Sequence, residues 1–501
     1  MKKVLLLFVA GLLSLSALGQ DFGNEMPRRA RQVAPKKLPA PQQVWDSTRV
    51  YPQMVVLFEF VDTVFSMPDP HTFYDSVLNA PGYNLSAGPG CAAEYLLSQS
   101  RGLFHVRFDV YGPYRLSTAA KKDPNKHNYG NPEKGAALDS LFVAYPDMDY
   151  SIYDWDGDGA IEQVLYICAG PGGNDGYDGF IWSNTSLAPT GKWTPDSLSV
   201  YNHSITCEVP NRKAPSGRVG FATMLHEYSH ALGLSDVYPT GGTNADLYSI
   251  VDMWDLMDGG NYINYGWCPS NYTAFERMYM NWLTPVELDA DTTITGLRPI
   301  EEGGEAYLLR HTENEYLLLE NRQQTGWDYG IPGKGLTIWH VDFDSLVWKR
   351  NAVNNESLRL CLYHADNMNF QDWGAYYNAH SSTIKPYAIS PRMRCCLLST
   401  TAYPWRTDST TWVNDRLTEE STPALGMYHE NARGETILGK RITNIQMAED
   451  GSISFTLEVD KQEGIGSIES DKTAVRKELR NGVLYIVRED KVYSITGTRV
   501  K

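Results

Sequence analysis

The segment Phe221–Tyr238, with the sequence FATMLHEYSHALGLSDVY, constrains the chain more than any other. Its Ala, Met and Leu residues favour a helix, and Gly233 is a residue at which a helix can end. On such a helix His226 and His230 are four positions apart, so their Cβ atoms lie on one face about 5 to 6 Å from each other. Both imidazoles can therefore reach one ion, and the pattern predicts a zinc site.

The other residues of this HExxHxxGxxD pattern have separate roles in the predicted site. Glu227 is the predicted general base, because neither histidine can take a proton while it binds a metal. A left-handed backbone at Gly233 lets the chain reverse and carry Asp236, the predicted third ligand, toward the ion. Five carboxylates remain alternatives to it: Asp246, Asp252, Asp255, Asp258 and, in a plan with a ligand from a more distant helix, Glu276.

A second run, YDWDGDGAIE over 153–162, places carboxylates at alternate positions. Hard oxygen ligands at this spacing suit calcium, which takes six to eight of them, and the glycines let the loop fold around the ion. The predicted ligands are the side chains of Asp154, Asp156, Asp158 and Glu162 and the main-chain carbonyl of Ala160. The full EF-hand pattern is not met, because Leu165 occupies its twelfth position. A solvated turn is the alternative interpretation.

The N-terminus has the pattern of a secretory signal, in which Lys2 and Lys3 precede an apolar run and small residues. We therefore expect a protein that is exported to the periplasm, the cell surface or the medium. No later stretch of about 18 apolar residues predicts membrane insertion. The net charge of −16 argues against nucleic acid as a partner. The seven cysteines contain no CxxC pair, so cysteine-bound zinc is not expected, and they leave the disulfide pattern open.

Hydrophobic periodicity predicts an α+β chain. A helix is expected over 92–98, and strands over 54–60, 163–168, 306–310, 315–320, 336–341 and 453–459. The predicted parts are a signal peptide (1–19), a linker or short pro-segment (20–50), a domain with the zinc site (51–288), a β-rich, sandwich-like accessory domain (289–460) and a small C-terminal β module (461–501).

These motifs together resemble a known family. HEYSHALGLSD and the later WDLMDGG (254–260) are similar to the metzincin clan of zinc metallopeptidases. FDVYGP, YDWDGDGAIE, YTAFERMYMNWLTP and LLLENRQQTGWD narrow the resemblance to its immune inhibitor A-like members, the M6 family, over about residues 51–351. The resemblance implies a metzincin-like catalytic domain, zinc, calcium and endoproteolysis. It also implies that Met257 lies beneath the metal as an apolar floor and that Tyr262 lies near the developing oxyanion.

The tail LRNGVLYIVREDKVYSITGTRVK resembles the C-terminal sorting modules of type IX secretion substrates, which implies the secretion machinery as a partner. A last hairpin of the accessory domain is the alternative. The sequence as a whole predicts a secreted zinc metalloendopeptidase that hydrolyses protein or peptide substrates with zinc-activated water. Two alternatives stay open: a non-catalytic exported protein that binds proteins or glycans on a metzincin scaffold, and a zinc hydrolase of small amides.

Overall fold

The computed structural model describes residues 44–85, 88–123, 128–173, 177–208, 217–245, 249–367, 401–406, 412–460, 475–480, 483–488, 491–494 and 500. The predicted signal peptide and most of the predicted linker lie outside these residues. No helix in the described part of the chain is long and apolar enough to cross a membrane.

Six strands form the first sheet. They are β1 (Val50–Glu59), β2 (His105–Arg115), β3 (Ala160–Ile161), β4 (Val164–Cys168), β5 (Asn184–Trp193) and β6 (Ser199–Cys207). Their order is β2–β1–β4–β6–β3, with β5 also beside β6. All pairs are parallel except β5 with β6, which is antiparallel. The predicted strands at 54–60 and 163–168 are confirmed as β1 and β4, with ends shifted by a few residues.

The described residues contain six α-helices, of which the first four pack on the two faces of this sheet. They are α1 (Pro70–Asn79), α2 (Ala92–Gln99), α3 (Asn131–Ala144), α4 (Ala222–Leu232), α5 (Ala274–Tyr279) and α6 (Ser345–Lys349), and single 3₁₀ turns lie at 150–153, 252–254, 260–266, 300–302 and 326–328. Successive side chains of a strand point to opposite faces. Val55 and Leu57 of β1 therefore pack in the buried cluster that contains residues of α1, α2 and α4, whereas Val56 and Phe58 pack with α3.

The second half of the chain is mostly β-structure. Its strands are β7 (Val286–Glu287), β8 (Thr292–Leu297), β9 (Ala306–Arg310), β10 (Glu315–Arg322), β11 (Gly335–Asp342), β12 (Leu360–Leu362), β13 (Trp405–Arg406), β14 (Trp412–Asn414), β15 (Lys440–Met447) and β16 (Ile453–Val459). They form sheets in the orders β12–β11–β10–β9–β7, β15–β16–β8 and β13–β14. The four strands predicted in this region are confirmed as β9, β10, β11 and β16, and the general α+β class is confirmed with them.

The described residues up to Glu458 form one compact unit, and those from Val459 onward form a second. Within the first unit the buried core passes from the first sheet into the β-rich half, because Val55, Leu318 and Trp339 belong to one cluster. In the second unit β17 (Val475–Arg480), β18 (Val483–Arg488) and β19 (Lys491–Ser494) form an antiparallel meander.

The buried ion pair between His340 on β11 and Glu315 on β10 makes stability depend on pH. His340 Nε2 lies 2.8 Å from Glu315 Oε1. Burial lowers the pKa of His340, but Cys361 and Glu315 outweigh burial and raise this pKa to about 9. The folded pKa exceeds the unfolded value of about 6.5, so the stabilisation is fully present below pH 6.5 and is lost as pH rises through about 9.

We expect the melting temperature to fall between pH 6.5 and 9 by an amount that reflects on the order of 2 kcal/mol. Calorimetry across this range checks it. A His340→Gln variant has no imidazole to titrate at this position and should lack this part of the slope. An unchanged slope in that variant would show that other groups cause the pH dependence.

Candidate metal centre

The helix α4 places both histidines on one face, and its end brings Asp236 to them. Gly233 has φ 110°, and its N–H and that of Leu234 donate to carbonyls of the last helical turn. The chain then reverses as the sequence predicts. Asp236 Oδ1 lies 3.1 Å from His226 Nε2 and 3.2 Å from His230 Nε2. The three predicted zinc ligands therefore form one buried group.

Main-chain carbonyls determine how both imidazoles are oriented. His226 Nδ1 lies 3.0 Å from the carbonyl oxygen of Leu256, and His230 Nδ1 lies 2.8 Å from that of Leu234. Because a carbonyl oxygen can only accept a hydrogen bond, each Nδ1 carries the hydrogen. In the neutral rings the Nε2 lone pairs are then turned toward Asp236. Histidines that bind a metal through one ring nitrogen usually donate the N–H of the other ring nitrogen to a carbonyl or carboxylate, as His226 and His230 do to carbonyls here.

Asp236 carries the negative charge of the group. Its Oδ1 is buried and faces the Nε2 atoms of both histidines. Burial lowers the pKa of His226, but the Asp236 carboxylate outweighs burial and raises this pKa to about 9. Burial raises the pKa of Asp236, but His230 and His226 outweigh it and hold this pKa well below its usual range. Two nitrogens and one carboxylate oxygen at these distances suit a divalent cation such as zinc.

Asn351, which follows α6, holds the third predicted ligand. Its Nδ2 donates to Asp236 Oδ2 at 2.6 Å, and its Oδ1 accepts from the Asp236 main-chain N–H at 2.6 Å. Ser235 donates to the carbonyl of Trp348, and Asn354 donates to that of Val237. No sequence pattern marks Asn351, because it lies 115 positions from Asp236 and outside any motif.

The turn around Met257 supports the same loop from the other side. The carbonyl of Met257 accepts a hydrogen bond from Val237 N–H at 2.9 Å, and Leu256 supplies the carbonyl that orients His226. The Met257 side chain is fully buried. Its own N–H donates to Asp255 Oδ1 at 2.9 Å. The backbone of this segment therefore fixes the orientation of the His226 ring, one of the predicted zinc ligands.

The carboxylates of three alternative third ligands, Asp255, Asp258 and Glu276, have other hydrogen-bond partners. Asp258 Oδ2 accepts main-chain hydrogen bonds at the start of the turn, from Ile250, Val251 and Asp252. Asp255 Oδ1 accepts the main-chain N–H of Met257, and Glu276 forms a capping box with Thr273 at the start of α5. Among the described residues, the group with the two histidines contains only Asp236. Asp246 lies outside the described residues.

Tyr238 lies beside the group, and Tyr262 lies close enough to Tyr238 to affect its pKa. Tyr262 is half-buried in the 3₁₀ turn 260–266. The ring of Tyr238 stacks on that of His226, with centroids 6.3 Å apart and an interplanar angle of 16°. Burial raises the pKa of Tyr238 well above its usual value, and the Asp236 and Glu227 carboxylates and Tyr262 raise it further. Sequence reasoning missed Tyr238, although its position two residues after Asp236 was a usable signal.

Glu227 is buried next to His226 on α4 and is 8% exposed. The Thr185 hydroxyl on β5 lies 2.8 Å from its Oε2. Sequence analysis identified Glu227 but not Thr185, which belongs to no motif.

The loop 153–162 brings together three of its predicted calcium ligands, Asp154, Asp156 and Glu162. Asp158 is not part of this group, and its Oδ1 accepts the N–H of Ala160 at 2.9 Å. Glu162 Oε1 accepts the N–H of Asp156 at 3.1 Å, whereas Oε2 is buried and accepts no hydrogen bond. Burial raises the pKa of Glu162 to about 8. A cation bound here would supply the positive charge that this carboxylate lacks.

No family model matches the chain, and no curated protein matches it. The geometry of the two groups and the sequence motifs are therefore the basis for assigning a function.

Removal of the Asn351 side chain should weaken metal binding, because Asp236 would lose both hydrogen bonds that orient it. We expect Asn351→Ala to lower zinc affinity about 10- to 100-fold, the usual effect of losing a group that orients a ligand. Competition with a chromophoric chelator measures the affinity. Asn355→Ala is the matched control, since Asn355 binds Thr240 and Gly241 in the same loop but not Asp236. Equal losses in both variants would mean that the loop, and not the Asp236 contact, matters.

Calcium should stabilise the protein through the loop 153–162. We expect millimolar calcium to raise the melting temperature by several degrees, on the order of the shift that about 1 to 2 kcal/mol produces. Glu162→Gln should remove most of this increase, because the amide replaces one anionic ligand. Asp149→Asn is the control, since Asp149 accepts hydrogen bonds from Ser151 nearby and is not in the group. A full calcium response in Glu162→Gln would exclude Glu162 as a ligand.

Proposed function

We propose that the chain is a secreted zinc-dependent endopeptidase of the immune inhibitor A-like metzincin type. One observation carries the proposal: two histidine nitrogens and the Asp236 carboxylate converge in a buried group beside the Glu227 carboxylate. A helix with HExxH spacing produces this arrangement in zinc peptidases. Export, a metzincin-like catalytic fold and a β-rich accessory region belong to the same proposal.

The donor set fits a catalytic zinc. Three protein ligands leave one position of a tetrahedral ion open for water or substrate. When bound, zinc supplies a Lewis acid that polarises the scissile carbonyl and lowers the pKa of water to about 7. The hydrogen bonds of both Nδ1 atoms hold His226 and His230 in the tautomer that ligation requires.

The chain's own residues move the proton. Glu227 accepts a proton from the attacking water and delivers it to the leaving amine nitrogen, so no covalent bond to the protein forms. Asn351 keeps the Asp236 carboxylate aligned during these steps. A tyrosine hydroxyl then stabilises the negative charge that develops on the substrate oxygen. Tyr262 is proposed for this role, with Tyr238 as the alternative because its ring stacks on His226.

The remaining parts of the chain have proposed roles outside the chemistry. Calcium in the loop 153–162 would fix the segment before β4. The meander formed by β17, β18 and β19 would act as a sorting module read by the secretion machinery. Protein or peptide substrates are the proposed partners.

Casein hydrolysis by zinc-loaded protein without residues 1–19 tests the proposal. We expect Glu227→Gln to lower kcat at least about 100-fold, because the amide cannot take the proton, while zinc content stays at the wild-type level. A zinc chelator should abolish the activity of the wild-type protein.

Inactive wild-type protein, tested with zinc and also after trimming of residues 20–43, would favour the non-catalytic binding protein. Hydrolysis of small amides without cleavage of casein would instead favour the small-amide hydrolase.

A further inference from the structure

The proposed general base Glu227 is held from the side of the first sheet. Its Oε2 lies 2.8 Å from the hydroxyl oxygen of Thr185, which is on β5. A carboxylate can only accept hydrogen bonds, so Thr185 donates. Hydrogen bonds to an ionised acceptor are about twice as strong as neutral ones, which makes this contact an effective restraint on carboxylate rotation. The restraint acts on the group that is proposed to move the proton.

A chain of donors continues from Thr185 into the sheet. The hydroxyl oxygens of Thr185 and Ser204 are 2.8 Å apart, and Ser204 Oγ lies 2.5 Å from Gln163 Nε2. Thr185 gives its only hydrogen to Glu227, so in its contact with Ser204 it can only accept. The one hydrogen of Ser204 has two acceptors in reach, Thr185 Oγ and the main-chain carbonyl of Glu227, and the Gln163 amide donates to Ser204. The bond between Thr185 and the Glu227 carboxylate sets the direction in which the hydrogens point, because a hydroxyl can both donate and accept. Aligned donors polarise one another, which strengthens the last bond of the chain.

The strand pairing builds this chain. Thr185 and Ser204 are direct partners in the antiparallel β5–β6 pair, and Gln163 immediately precedes β4, which pairs with β6 on its other side. Thr185, Ser204 and Gln163 are at most 3% exposed. Water therefore has little access to replace a missing hydroxyl, and loss of one donor leaves its neighbour without a partner.

The main-chain carbonyl of Glu227 competes for the same hydrogens. It lies 2.6 Å from Thr185 Oγ and 3.0 Å from Ser204 Oγ. Thr185 has one hydrogen for the two acceptors, and the charge of the carboxylate favours Oε2. Contact with the carbonyl also fixes Thr185 against the backbone of α4. Both acceptors belong to Glu227, so the Thr185 hydroxyl locates this residue relative to the sheet.

We propose that Thr185 is a positioning residue for Glu227, aligned by Ser204 and Gln163. This inference rests on the proposed endopeptidase function, since it assigns Thr185 the task of holding the proposed base at its reacting angle. A misplacement of about 1 Å in a catalytic group can cost about 100-fold in rate. The hydrogen-bond partners of the Thr185 hydroxyl are Glu227 and Ser204, and none of the proposed zinc ligands is among them.

The kinetic test uses Thr185→Val, which keeps the side-chain shape and removes the hydroxyl. We expect kcat on casein peptides to fall about 10- to 100-fold with KM within about twofold, and Thr185→Ser to recover kcat to within about threefold of wild type. Thr206→Val is the matched control. Thr206 is a buried threonine on the same strand pair whose hydroxyl lies 3.4 Å from Ser183 Oγ. Wild-type kcat in Thr185→Val, or equal losses in both valine variants, would overturn the proposal.

A spectroscopic test is independent of proteolysis. The infrared difference between wild type and Glu227→Gln isolates the carboxylate stretch of Glu227. We expect this band to shift in Thr185→Val, to return in Thr185→Ser and to stay in place in Thr206→Val. An unmoved band in Thr185→Val would overturn the positioning role even in an inactive protein. An inactive wild type with a shifted band would instead refute the endopeptidase function and leave the Thr185–Glu227 contact established.

Discussion

Two main-chain carbonyl oxygens determine where the lone pairs of both histidines point. Leu234 and Leu256 accept from the Nδ1 atoms of His230 and His226, and this leaves both Nε2 atoms facing Asp236. Neither carbonyl belongs to α4, the helix that carries the histidines. One lies just after the left-handed turn at Gly233, and the other belongs to the turn before Met257. The geometry of the candidate metal centre therefore depends on how these two loops pack against α4.

The β-rich half of the chain takes part in this geometry. Asn351 holds the Asp236 carboxylate and main chain, and Trp348 and Asn354 bind the residues on either side. The buried core is continuous between the first sheet and β10 and β11. For this reason the segment after α6 belongs to the candidate metal centre, although the resemblance to immune inhibitor A-like peptidases ends at about residue 351.

Both candidate cation sites share one electrostatic feature. In each site one carboxylate oxygen, Asp236 Oδ1 or Glu162 Oε2, is buried away from water. Burial of a carboxylate charge is costly, and a protein relieves the cost by protonation, by an oppositely charged partner or by a bound cation. At Glu162 burial raises the pKa, which favours the protonated form, and at Asp236 the two histidines are the partners. A metal ion would remove the need for either.

The sequence by itself determined the local features: the helix with His226, Glu227 and His230, the reversal at Gly233, the delivery of Asp236 and the alternation of buried strands. These follow from the 3.6-residue and 2-residue periods and from the freedom of glycine at positive φ, which need only neighbouring residues. Tertiary structure alone decided that Asn351 orients Asp236, that Thr185 contacts Glu227 and that Asp158 stays outside the acidic group. The first two contacts join segments that are far apart in the sequence, and the third depends on which carboxylate oxygens the loop turns inward. The spacing of residues in the sequence does not specify these features.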